Sequence, residues 1–76
     1  MADEWNVDQQ EAVYHDAIEA WIAAIRREET LATSTTTVAE LDAWEEAARA
    51  EDEARNRVQQ TKKAYEEALR QKFFHF

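Results

Sequence analysis

Five consecutive hydroxylated residues, Thr33-Ser34-Thr35-Thr36-Thr37, are the main break in a chain of 76 residues that contains neither glycine nor proline. Without glycine there is no glycine-rich phosphate loop and no tight primed hairpin turn. Outside the break, Ala, Glu, Gln, Arg and Lys dominate, and all of them favour helix. Threonine is stiff at its β-carbon, and serine and threonine compete for backbone hydrogen bonds, so the run reads as a connection. Thr37 and Glu40 have the spacing of a capping box, which places the start of a helix near Val38. The chain is therefore expected to be all-α and a single domain over residues 1–76. Helix 1 is expected at about 8–32, a Thr/Ser loop at 33–37 and helix 2 at about 38–73. Asp3, Asn6 and Asp8 are each able to cap the first helix.

Apolar residues recur at alternating spacings of three and four in both segments, the pattern of an amphipathic helix. In helix 1 the seam reads Val7, Tyr14, Ile18, Trp21, Ile25 and Ala32, with polar gaps at Glu11 and Glu28. In helix 2 it reads Leu41, Trp44, Ala48, Val58, Tyr65 and Leu69. A short loop makes the helices antiparallel neighbours, a helical hairpin with coiled-coil character. The expected hairpin core is Tyr14, Ile18, Trp21, Ile25, Leu41, Trp44, Ala48, Val58 and Tyr65. Reflection about the loop sets Trp21 against Ala47 or Ala48, Trp44 against Ala24 or Ile25, and Tyr14 near Ala54. The same reflection brings acids at the start of helix 1, Asp8 and Glu11 among them, towards Lys62 and Lys63. Within helix 2, Glu45–Arg49, Glu51–Arg55, Glu53–Arg57 and Glu66–Arg70 have the spacing of ion pairs with the acid first.

The two helices are unequal, roughly 37 Å and 54 Å at 1.5 Å per residue, so the end of helix 2 overhangs. A hairpin has one interface, and small domains rarely gain more than about 3–5 kcal/mol from a single core. Val13, Ile22 and Leu31 lie off the hairpin seam and need cover, Leu69, Phe73, Phe74 and Phe76 lie on the overhang, and Trp5 lies outside a single hairpin's core. Dimerisation into a four-helix bundle would supply it, so these residues are the expected dimer or partner interface.

The chemistry-bearing residues are few. There is no cysteine, hence no disulfide, thiolate nucleophile or cysteine zinc site. Glu11, His15 and Glu19 form a row at four-residue spacing and are weak candidates for metal ligands. The carboxylate-bridged di-metal bundles instead use Glu-x-x-His with glutamates on facing helices. The alternative for the row is a solvated helix face. The histidines are His15 and His75, and the lone serine is Ser34 in the loop, so no nucleophile–base pair is evident. No catalytic residue and no cofactor are expected.

Seventeen acids against nine Lys and Arg give a net charge of −8. That balance argues against direct nucleic-acid binding, which needs clustered bases. No apolar run is long enough for a membrane span and no leader pattern is present, so a cytoplasmic setting is expected. The leading expectation is a small acidic, non-enzymatic interaction protein: an adaptor, inhibitor or structural subunit acting through helical faces. Its expected form is a homodimer, with an unidentified protein partner also possible. Two alternatives are an acidic mimic of nucleic acid that blocks a basic groove, and a metal-binding helical bundle.

Overall fold

Asn6 opens the first helix: its side-chain oxygen accepts a hydrogen bond from the Gln9 amide at 2.9 Å, and its carbonyl accepts from the Gln10 amide at 3.0 Å. In this computed structural model, which describes residues 6–34 and 36–74, that helix is α1, Val7–Ser34, and the second is α2, Val38–Phe74. Against the expected 8–32 and 38–73, α1 is longer by one residue at its start and two at its end, and α2 starts as expected at Val38 and is longer by one residue at its end. Trp5 and Phe76 lie outside the described residues.

Hydroxyl groups extend α1 into the Thr/Ser run. Thr30 donates to the Arg26 carbonyl, Thr33 to the Thr30 carbonyl, and Ser34 to the carbonyls of Thr30 and Leu31. Side-chain hydroxyls of the last turns thus bond back to carbonyls of the same helix. On the other side of the connection the Thr37 hydroxyl accepts from the Glu40 amide at 3.1 Å. The Glu40 carboxylate reaches back, but to the amide and hydroxyl of Thr36, at 3.2 and 2.7 Å, one residue before the partner a strict capping box would use.

The helices pack side by side as an antiparallel pair, with extents of 58 × 17 × 15 Å. Among the described residues there is no strand, and no helix is long and apolar enough to cross a membrane. The inward seam runs along Val7, Gln10, Tyr14, Ala17, Trp21, Ala24, Glu28 and Leu31 of α1. In α2 it runs along Glu40, Trp44, Ala47, Glu51, Ala54, Val58, Thr61, Tyr65 and Ala68, and all of these are buried or half-buried. Steps of three and four alternate throughout, the a/d pattern of a coiled coil.

The seam is built on alanine. Ala17, Ala47, Ala68 and Val58 are the buried hydrophobic residues among those described. Tyr14, Ile18, Trp21, Trp44, Ala48 and Tyr65 of the expected core are half-buried. Ile25 and Leu41, also expected in the core, are 39% and 41% exposed. The cause is geometric: small side chains at Ala17, Ala24, Ala47 and Ala54 leave no depth for branched ones, which are displaced to the edge. Polar seam positions are locally satisfied, as at Thr61, whose hydroxyl donates to the carbonyls of Arg57 and Val58.

The register also differs from simple reflection. The Trp21 indole N–H donates to the Glu51 carboxylate at 2.6 Å. The Tyr14 ring stacks on Tyr65, with centroids 5.8 Å apart and planes at 29°, rather than lying near Ala54. Helical side chains lean toward the start of their own helix. Trp21 and Tyr14 therefore reach away from the loop, to later residues of α2 than their Cα levels indicate. The run-on of α1 to Ser34 shifts the meeting point the same way.

That register exposes an internal repeat. Segments 18–28 and 41–51 read IEAWIAAIRRE and LDAWEEAARAE. They share Ala20/Ala43, Trp21/Trp44, Ala24/Ala47, Arg26/Arg49 and Glu28/Glu51, and they pair Ile18 with Leu41 and Glu19 with Asp42. Two antiparallel helices are related by a two-fold axis perpendicular to both, and here the sequence follows it in part: Ile22, Ala23, Ile25 and Arg27 correspond to Glu45, Glu46, Ala48 and Ala50. The two tryptophans also differ in bonding: the Trp44 indole nitrogen is buried without a hydrogen-bond partner.

Candidate interaction surface

A helix that faces one neighbour through its a and d positions presents two flanks, and in an antiparallel pair like flanks of the two helices lie side by side. One flank here carries Ile18, Ile22, Ile25 and Ala32 from α1 and Leu41 and Ala48 from α2. Ile22, Ile25 and Leu41 are 36%, 39% and 41% exposed, and Val38 at the loop end is 76% exposed. The opposite flank carries Val13, Ala20, Arg27, Ala43, Ala50, Arg57 and Ala64. Large branched side chains are thus concentrated on one side of the hairpin.

The expected interface residues divide between locations. Ile22 lies on the apolar flank. Val13 is half-buried on the opposite one. Leu31 is half-buried at the loop end of the seam, and Leu69 is half-buried on α2. Phe73 and Phe74 are each 64% exposed in the last turn of α2, with the Lys72 ammonium 5.4 Å from the Phe73 ring centroid. α2 is 37 residues against 28 in α1, so it overhangs by about 13 Å.

Farther from the loop, the same flank opens into a groove of about 470 Å³ lined by Asp8, Glu11, Tyr14, His15, Ile18 and Tyr65, with Ala12 beside them. The Tyr65 hydroxyl donates to the Glu11 carboxylate at 3.2 Å. Partial burial, that bond and the negative charges of Glu11 and Asp8 all push the Tyr65 phenol above its ordinary value. Two carboxylates beside two tyrosine rings suit a cationic group. No serine, threonine or cysteine lines the groove beside His15.

The row Glu11, His15 and Glu19 does not make a ligand set: among the described residues no three His, Cys, Asp or Glu converge to hold an ion. Each four-residue step turns about 400°, so successive members drift by about 40° around the helix. Glu11 faces Tyr65 while Glu19 points outward and is exposed.

Charge is arranged differently from the interhelical pairing expected. Among the described residues the ion pairs lie within α2: Arg49 with Glu46 at 2.9 Å, Arg55 with Asp52, and Arg55 with Glu51 at 4.0 Å. Arg49 thus takes the acid three residues back, not Glu45. Glu51 is shielded, its side chain 15% exposed, and holds both Arg55 and the Trp21 indole. In the loop, hydrogen bonds from the side chains of Thr36 and then Thr37 hold the Glu40 carboxyl below its ordinary value.

Hydrophobic periodicity directs attention to the isoleucines as core. The signal that separates seam from flank is the repeat of Trp, Ala and Glu at equal spacing in both helices. Comparison with known protein families, curated proteins and solved structures finds no match to this chain.

Proposed function

We propose that this chain is a small acidic, non-enzymatic interaction protein, an adaptor, inhibitor or structural subunit that works through its helical faces as a homodimeric four-helix bundle. The observation that carries the reading is that the buried apolar residues among those described are Ala17, Ala47, Ala68 and Val58, while Ile22, Ile25 and Leu41 stand exposed outside the seam. The hairpin exposes 6012 Å². A compact monomer of 8.9 kDa exposes roughly 4,800 Å² by the surface–mass relation, so about 1,200 Å² is in excess. A standard interface removes about 800 Å² from each partner. Sedimentation equilibrium across a micromolar concentration series tests the reading: the expected mass is that of two chains, and a helical species of one chain throughout counts against it.

The second reading, an acidic mimic that blocks a basic groove on another protein, draws on the net charge of −8. Exposed acids on the outward positions, such as Asp16, Glu19, Asp42, Glu46 and Glu53, give it a surface. Binding to a basic protein that weakens steeply with salt would favour it, because exposed charges are screened over about 10 Å at 0.1 M.

A further inference from the structure

We infer that the groove beside Tyr14 and Tyr65 takes the arginine side chain of a basic segment of a partner protein. The inference rests on reading the chain as an interaction protein, and it names the chemistry of the partner. The groove encloses about 470 Å³. Along α1 its lining runs from Asp8 and Glu11 through Tyr14 to Ile18, a span of about 15 Å. Tyr65 of α2 stacks on Tyr14 and completes an aromatic wall between the acids and the isoleucine. The cations expected opposite these acids do not reach them. Among the described residues neither Asp8 nor Glu11 forms an ion pair, and neither do Lys62 and Lys63. The Tyr65 hydroxyl donates to Glu11 at 3.2 Å, one of about four acceptor positions that a carboxylate offers. Unpaired negative charge therefore stands at one end of an aromatic groove.

The form of the groove selects the occupant. Every residue that lines it is half-buried or exposed. A pocket for a free small molecule covers about 70–90% of its ligand, and a groove with such open walls does not. A side chain anchored by its own backbone needs no such enclosure, because the partner around it supplies the remaining contact. Arginine fits this lining better than lysine does. Its planar guanidinium is weakly hydrated, stacks against aromatic rings and meets carboxylates through a fork of donors. Its methylene stem can lie along the apolar part of the groove. Asp8 and Glu11 are three residues apart on one helical face, so both act on the same cation. They lie roughly 16–21 Å along α1 from Ile22, beyond the central apolar patch. The net charge of −8 attracts any basic segment; the rings and the unpaired acids give the groove its preference.

The test titrates the whole chain, followed by NMR, with a capped Ala-Ala-Arg-Ala-Ala peptide. Parallel titrations use the same peptide with lysine or neutral citrulline in place of arginine, and ethylguanidinium as the free small cation. The expected result is a saturable shift centred on Ile18, Tyr14 and Tyr65 with the arginine peptide. Binding should be weaker by about threefold or more with lysine, and absent with citrulline. Glu11→Gln keeps an acceptor for the Tyr65 hydroxyl, and it should weaken binding by about threefold or more, as should Asp8→Asn. Glu19→Gln removes an exposed acid elsewhere on α1 and should leave binding nearly unchanged. An equal loss with Glu19→Gln, or shifts spread over the acidic surface, overturns the groove in favour of general charge attraction. Ethylguanidinium binding as tightly as the arginine peptide overturns the partner segment as the occupant. Sedimentation of the same samples separates the remaining outcomes. No saturable shift with a two-chain mass overturns the groove and leaves the interaction reading standing. No saturable shift with a one-chain mass counts against both.

Discussion

Ala47 and Ala48 are neighbours in sequence and belong to different surfaces. Ala47 is 2% exposed in the seam between the helices. Ala48 is half-buried on the flank. The same contrast runs through the molecule: the inner surface admits alanine and accepts polar residues that are bonded across or along it, while the outer flank carries the branched side chains. Close approach of two helices is stabilised by many small contacts and needs little side-chain volume. Bulk apolar area left outside that contact then becomes available for a second interface.

Enlarging the two alanines should break the comparison most visibly. Ala47→Leu is expected to overpack the seam and cost about 1–3 kcal/mol in denaturant unfolding. Ala48→Leu is expected to leave the hairpin's stability within about 0.5 kcal/mol and to strengthen self-association. Equal costs at the two positions would erase the distinction between seam and flank.

The paired tryptophans sharpen it next. Trp21→Phe removes the N–H that Glu51 accepts and should cost about 1.5–3 kcal/mol, the range for hydrogen bonds to charged groups. Trp44→Phe removes a buried donor that has no partner, so it should be close to neutral or stabilising. Urea melts of both variants measure the difference. Equal losses would mean that the Trp44 indole is bonded as that of Trp21 is.

How far the sequence discloses this fold depends on the range of the interactions concerned. The break at 33–37 and the start of α2 are legible because caps act within a turn: Thr37 and Glu40 decide them locally. The antiparallel pairing follows from the short connection. The facing surface is less legible, because a stripe such as Ile18, Ile22 and Ile25 looks the same whether its cover is intramolecular or intermolecular. The shift from Ala54 to Tyr65 opposite Tyr14 depends on the lean of long side chains, which Cα arithmetic leaves out. The candidate metal row failed for a related reason: spacing of four keeps residues near one another without aiming them at one point.

Smaller effects belong to the connection. Thr37→Ala should cost about 1 kcal/mol by removing the cap on the Glu40 amide. Glu40 has a folded pKa below its unfolded one. Its stabilising contribution is therefore present above the ordinary glutamate range, and it is lost as pH falls through that range to the lower folded value. Thermal melts from about pH 7 to pH 3, spanning the ordinary glutamate pKa, should show a larger acid loss in the native protein than in Glu40→Gln. Parallel curves would exclude that linkage.

Salt distinguishes the apolar flank from the acidic surface as the working face. Two copies, each of net charge −8, repel, so raising ionic strength should strengthen self-association. A contact made by the acids to a basic partner should weaken instead.

The central claim is that the apolar flank, and not the seam, is the surface of self-association. Sedimentation equilibrium of the native protein beside Ile25→Glu, at the same micromolar concentration and with helix content followed by circular dichroism, addresses it directly. Ile25 is 39% exposed in the hairpin, so glutamate is tolerated there within one chain. The account predicts twice 8.9 kDa for the native protein and a single helical chain for Ile25→Glu. A two-chain mass for both, or one chain for both, would contradict it.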